Sequence, residues 1–160
     1  MKTLYLLRHA HTISAAPPMM GDHERALSPQ GAADALAIGA FMQENAFQPD
    51  FVLSSSAVRT VQTAQLVLEK IGADTQSHFN RKLYQASADK ILAEIRAIDD
   101  SIHRLLVVGH NPGVAELARA LGDVKNYDPG TLTVFKADCQ VWADFAPELI
   151  TLERVFVPQP

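Results

Sequence analysis

Residues 3–10 read TLYLLRHA. Five residues of strand-forming, mostly apolar character are cut off by an arginine and a histidine. A run this short matches a buried strand, whereas a membrane span needs about 20 apolar residues. No small-residue cleavage site follows Arg8, so the start is not expected to act as a signal peptide. Leu105-Leu106-Val107-Val108 repeats the pattern and ends in Gly109-His110. Phe51-Val52-Leu53 is a third such run, and Arg59 follows it closely.

Helical signals fill the intervals between these runs. Ser28-Pro29 is an N-cap followed by proline at the first helical position, and the Ala- and Gly-rich stretch after it predicts a helix to about Phe47. Ser54, Ser55 and Ser56 offer caps for a second helix with the stripe Val58, Val61, Ala64, Val67 and Ile71, and Gly72 suits its end. His78-Phe79 reads as a weak edge strand. Ser87 caps a third helix with Ile91, Ile95 and Ile98 on one face. Pro112 opens a fourth, with Val114, Leu117, Ala118 and Leu121 inward and Gly122 as its stop. Two β-rich runs, 131–136 and 149–157, close the chain, and Trp142 and Phe145 between them are read as core. Residues 8–27 contain Pro17, Pro18 and Gly21 without periodicity and are expected to form a long functional loop. Alternating strands and helices predict an α/β fold with a largely parallel sheet.

The chain has 160 residues, 48% of them hydrophobic and 20% charged, as expected of one soluble domain spanning residues 1–160. A single cysteine, Cys139, excludes an internal disulfide and fits a reducing compartment, so a cytoplasmic location is expected. With 14 basic and 18 acidic residues the formal charge is −4, and no basic block is present. Neither nucleic acid nor a membrane is expected as a partner. An anionic substrate would be drawn by local positive charge instead.

That local charge is visible. In open α/β sheets, ligands gather beyond the carboxyl ends of parallel strands. Arg8 and His9 follow the first run, Arg59 sits early in the helix after the second, and His110 follows the last. With Ser56 as cap, Arg59 would be the third helical residue, where the helix dipole disfavours a cation unless an anion is bound. Asn111-Pro112-Gly113 offers free N–H groups beside His110, and arginine forks match phosphate geometry. The expected ligand is therefore a phosphate. No Walker-type loop, no phosphatase-like cysteine and no two-metal carboxylate cluster occurs. Histidine remains as a nucleophile, because its neutral ring attacks phosphorus when the second nitrogen is held by an acceptor such as a backbone carbonyl.

At these residues the sequence resembles the histidine phosphatase superfamily, the phosphoglycerate-mutase-like group, and most of all its short SixA-type branch of phosphohistidine phosphatases. LLRHAHT (6–12), SSSAVRTVQTA (54–64) and VVGHNPG (107–113) are similar to the family's nucleophile, second-arginine and second-histidine motifs. DHERALSPQG (22–31) and LYQAS (83–87) are similar to branch-specific stretches. The resemblance implies a three-layer sandwich with a mixed, mainly parallel sheet between helices, and neither metal nor other cofactor. It further implies His9 as nucleophile, Arg8 and Arg59 as phosphate ligands, and His110 as a second histidine on the phosphoryl group.

One position departs from the pattern. Many superfamily members carry a proton-donating carboxylate near the place of Gln85, and glutamine cannot donate in that way. Asp22, Glu24 and His11 are the substitutes the loop offers. A phosphoramidate such as phosphohistidine leaves as neutral imidazole once protonated and needs no strong acid. The expected activity is a phosphatase working through phospho-His9 on phosphohistidine in proteins or another activated phosphate. The alternatives are a small-molecule phosphomonoesterase, a non-catalytic phosphate-binding module, and a mutase, which the lack of a lid-sized insertion disfavours. His23, His78 and His103 are read as surface residues, Asp99-Asp100 as a helix-end turn, and Arg25 as either a pocket border or a solvated loop residue.

Overall fold

The computed structural model describes residues 1–16 and 18–159; Pro17, expected in the long loop, lies outside the described residues. Strands β1 (Lys2–Arg8), β2 (Phe51–Ser55), β3 (Gln76–Asn80), β4 (Arg104–Gly109), β5 (Leu132–Ala137) and β6 (Ile150–Phe156) form one sheet. Its spatial order is β3-β2-β4-β1-β5-β6. The first four strands in that order run parallel, while β5 and β6 are antiparallel to their neighbours. The sheet is thus mixed and mainly parallel. Helices α1 (Pro29–Glu44), α2 (Val58–Ile71), α3 (Ala88–Arg96) and α4 (Gly113–Gly122) make the parallel crossovers and lead into β5.

Alternation in β1 divides the core between the two faces. Tyr5 and Leu7 pack with Ala35, Ile38, Ala64 and Val67 of α1 and α2. Leu4 and Leu6 point the other way, to Ile91 and Ile95 of α3 and Leu117 and Leu121 of α4, with Trp142 and Phe145 sealing that layer. Two helical layers and a sheet make the expected sandwich. Among the described residues, no helix is long and apolar enough to cross a membrane.

Several boundaries depart from the sequence reading for physical reasons. Helix α1 stops at Glu44, short of Phe47, because Phe47 turns inward against Tyr5 and Phe41, with ring centroids 5.7 and 6.0 Å away. Strand β2 runs on through Ser54 and Ser55, both fully buried, and the cap of α2 is Ala57 rather than a serine. Arg59 is accordingly the second helical residue, not the third. Gly122 remains helical, and the left-handed residue that ends α4 is Asp123 (φ 56°). Glycine is required at 122 for another reason, since a Cβ there would lie 2.8 Å from the Phe135 ring. Gly72 is the left-handed stop of α2, and Ser28 and Ser87 cap α1 and α3 through their side chains.

Sheet register also places the functional end. Arg8 pairs with Gly109 across β1 and β4, and Ser54 pairs with Val108 across β2 and β4. His9, Ser55 and His110 therefore leave three adjacent strands at one level. The loop after β1 is pinned at its base, where Thr12 bridges Leu27 and the Ser28 N–H donates to the His11 carbonyl (3.0 Å).

Candidate active site

The carboxyl ends of β1, β2 and β4 surround a cavity of about 240 Å³ whose lining includes Arg8, His9, Asp22, Arg59, Gln85 and His110. All four residues named from the sequence stand in this one wall. His9 is 6% exposed. Its backbone is clamped on both sides, since its N–H donates to the Gly109 carbonyl (3.1 Å) and its carbonyl accepts from Gly130 (3.0 Å). The Ala10 N–H donates to Thr63 Oγ1 (3.1 Å), which ties the same turn to α2. The expected backbone acceptor is the Ala10 carbonyl, 2.8 Å from His9 Nδ1. Nδ1 must carry the proton it donates there, so Nε2 keeps a lone pair, and Nε2 has no partner among the described residues. Burial above all, with Arg59, Arg8 and Arg25 adding to it against the Ala10 hydrogen bond, lowers the His9 pKa to about 4. The ring is neutral at pH 7.

His110 lies beside it, with ring centroids 5.4 Å apart. Its Nε2 is 2.7 Å from Ser55 Oγ. That hydroxyl accepts from the Ala57 N–H at 3.2 Å, and its own proton has no other acceptor among the described residues. Ser55 therefore donates to Nε2, and the neutral ring carries its proton on Nδ1. Burial first, then Arg59 and His9, lowers the His110 pKa to about 3. Nδ1 is enclosed and unpaired, as are Nε of Arg8 and Nε of Arg59. Three enclosed donors without acceptors, each on a residue that lines one polar cavity, each cost about 1–3 kcal/mol while they stay unpaired.

The remaining bonds of the arginines fix their heads. Arg8 Nη1 donates to the Tyr127 carbonyl (3.1 Å), and Asn111 Nδ2 donates to the same oxygen (2.9 Å). Arg59 donates to the Asp22 backbone carbonyl (2.8 Å) and to Asp22 Oδ2 (3.0 Å). Asp22 Oδ2 also accepts from the Tyr84 hydroxyl (2.6 Å), and Arg25 Nε meets Oδ1 at 3.2 Å. The Tyr84 hydrogen bond, with Arg59 and Arg25 beside it, lowers the Asp22 pKa to about 2.

Of the three substitutes weighed for the missing acid, Asp22 and His11 line the cavity, while Glu24 faces His23 at 3.9 Å instead. Gln85 stands in the lining with left-handed backbone (φ 54°). Its loop lies tight against α4, for a Cβ on Gly113 would meet the Ala86 carbonyl oxygen at 2.0 Å. Arg25 borders the pocket.

Two residues escaped the sequence reading. Tyr84 carries no local signal in the sequence, yet its ring abuts His110 and His23 edge-on, at 5.5 and 4.9 Å between centroids. His23, expected at the surface, is half-buried and pairs through Nε2 with Ser56 Oγ (2.9 Å). Ser56 is thus occupied with a loop residue instead of capping α2. No local signal marks either contact, because both partners lie far away in the chain. His78 and His103 are exposed, as read.

Comparison with known proteins bears on the same residues. A family model described as histidine phosphatase superfamily (branch 1) matches residues 4–85, which include Arg8, His9 and Arg59. The chain belongs to the histidine phosphatase superfamily. It is accordingly a phosphatase, a hydrolase of phosphoryl groups. An uncharacterised protein of Mycobacterium tuberculosis is 35% identical over 76% of this chain and 73% of its own length. Among solved structures, a candidate SixA phosphohistidine phosphatase from Nakamurella multipartitia superposes with TM-score 0.85 at 30% identity, covering 98% of this chain and 96% of the other. A candidate SixA protein from Agrobacterium tumefaciens gives TM-score 0.82 at 25% identity, with 98% of each chain covered.

Proposed function

We propose that this phosphatase transfers the phosphoryl group to His9 and then to water, without a metal ion, and that its substrate is phosphohistidine in a protein or another activated phosphate. One observation carries this reading: the neutral His9 ring, anchored through Nδ1 on the Ala10 carbonyl, keeps Nε2 free in a wall where Arg8, Arg59 and His110 hold unspent donors. In the first step the Nε2 lone pair forms a bond to phosphorus as the leaving group departs. Arg8, Arg59 and His110 stabilise the charge gathering on the equatorial oxygens. In the second step water attacks phospho-His9 and frees the imidazole and inorganic phosphate. The reading treats residues 1–160 as one domain with a site open enough for a protein-borne group, since Asp22, Gln85 and His11 at the rim are exposed.

The test uses 4-nitrophenyl phosphate and a phosphohistidine-bearing protein with wild type and His9→Ala. Wild type forms an acid-labile, base-stable phosphoenzyme, and turnover withstands EDTA. His9→Ala forms none and loses about 10⁴-fold or more in kcat/KM. Full activity in that variant would end the proposal.

A further inference from the structure

We propose that Asp22 selects the leaving group: its carboxylate receives the N–H of a protonated nitrogen heterocycle, so the site favours phosphoramidates over phosphate esters. The inference rests on the reading of His9 as nucleophile and adds a residue that sets specificity.

The geometry begins at the cavity floor. His9 is 6% exposed, and in-line displacement puts the breaking bond on the far side of phosphorus, toward the rim. Asp22 is at that rim, its side chain 43% exposed, and it is the single carboxylate among the described lining residues. A negative charge there weakens the hold of Arg8, Arg25 and Arg59 on a phosphate whose leaving group is neutral or anionic. It helps only a leaving group that carries positive charge. The carboxylate also has room for one. Oδ2 accepts from Arg59 and Tyr84, whereas Oδ1 accepts from Arg25 alone, which leaves Oδ1 a second acceptor direction. Held near pKa 2, first by Tyr84, Asp22 stays ionised and cannot serve as the proton donor that Gln85 also fails to supply.

The chemistry closes without a donor. In the reactive substrate one ring nitrogen bears phosphorus and the other a proton, so the ring is cationic. As His9 Nε2 bonds to phosphorus, the P–N bond breaks and its electron pair passes to the ring nitrogen. That pair cancels the positive charge, and the proton on the other nitrogen remains, so neutral imidazole departs. Asp22 favours the protonated, reactive ring over the unprotonated one, and the effect falls on kcat/KM.

Phosphoimidazole and 4-nitrophenyl phosphate present the two kinds of leaving group. In Asp22→Asn, and likewise in Asp22→Ala, the ratio of kcat/KM for phosphoimidazole over 4-nitrophenyl phosphate is expected to drop about tenfold, the size of a charge-assisted hydrogen bond. Asp22→Glu is expected to restore it. An unchanged ratio overturns the inference, whether both activities fall together because Asp22 merely holds Arg59, or neither moves. A raised ratio overturns it as well. The underlying mechanism is judged separately, because turnover of both probes by His9→Ala would remove the nucleophile whatever the ratio does.

Discussion

Strand β1 starts with a buried cation and ends with a half-buried one, and the protein treats them in opposite ways. At the amino end Lys2 is 1% exposed, and its Nζ donates to the carbonyls of Asp100 (2.7 Å) and Ile102 (2.9 Å). The Trp142 ring lies 5.5 Å from the same ammonium. At the carboxyl end Arg8 has one bond, to Tyr127, while its Nε is enclosed and unpaired, as are Arg59 Nε and His110 Nδ1 nearby. Burying a charge is therefore not what marks a site. A structural clasp uses its donors on the protein; the site proposed for the phosphoryl group holds some back, at a cost that the bound group would repay.

The contrast is open to attack at both ends. The largest effect is expected for Arg59→Ala, which should lower kcat/KM on 4-nitrophenyl phosphate about 10²–10³-fold, as loss of one oxyanion donor does. Its thermal unfolding should show no matching loss, because the guanidinium it removes is incompletely paired. A melting temperature that collapses with activity would make Arg59 another clasp.

Acid should distinguish the ends next. His9 and His110 have folded-state pKa values of about 4 and about 3, below the ordinary 6.5 of an unfolded histidine. A depressed pKa means the folded state resists protonation. Its contribution is complete above pH 6.5 and is lost as pH falls toward 4 and then 3. Melting temperature should decline by several degrees across that window, and His9→Ala should flatten the decline. Saturating phosphate should counter it by binding the folded state. A wild-type profile that is level down to pH 4 would contradict the shifts.

Lys2→Met tests the other pole. Removing the ammonium strands two carbonyls and should cost about 1–3 kcal/mol in urea unfolding, with kcat/KM staying near wild type. A loss of turnover at unchanged stability would reverse the assignment.

The smallest expected effect sharpens the donor argument itself. Ser55→Ala frees Nε2 of His110, so nitrogen NMR should show a mixture of ring tautomers, and kcat/KM should drop about tenfold for one neutral hydrogen bond. Ser55→Thr should retain both. A single unchanged tautomer in Ser55→Ala would show that Ser55 does not orient the ring.

Much of the fold was legible because its signals are local. The apolar runs at 3–7 and 105–108, the Ser28-Pro29 and Ser87 caps, and the Gly72 stop each depend on a few neighbouring residues, and all appear where expected. Helix α2 was harder. The valine stripe names Val58 and Val61, yet the buried face is Arg59, Thr60, Thr63, Ala64 and Val67. Polar residues can occupy that face because their hydroxyls are satisfied at close range. Thr60 donates to the Ser55 carbonyl (2.7 Å), and Thr63 donates to that of Arg59 (2.7 Å). A hydrophobic pattern cannot reveal satisfied polar burial. Tyr84 and His23 were illegible because each acts through partners from another segment, and Asp22, legible as a loop carboxylate, could not be joined to Arg59 and Tyr84 without the fold.

The amino-acid sequence by itself determined the strand–helix alternation, the strand-end positions of His9, Arg59 and His110, and the membership in a phosphatase family, all of which follow from short-range chemistry and recurring motifs. Only the tertiary structure decided which donors are spent and which are free. That choice depends on sheet register: pairing Arg8 with Gly109 and Ser54 with Val108 sets Ser55 against Nε2 of His110 and leaves Nδ1 of that ring unpaired. Hydrogen bonds across fifty or more residues are made by packing, and no stretch of chain encodes them alone.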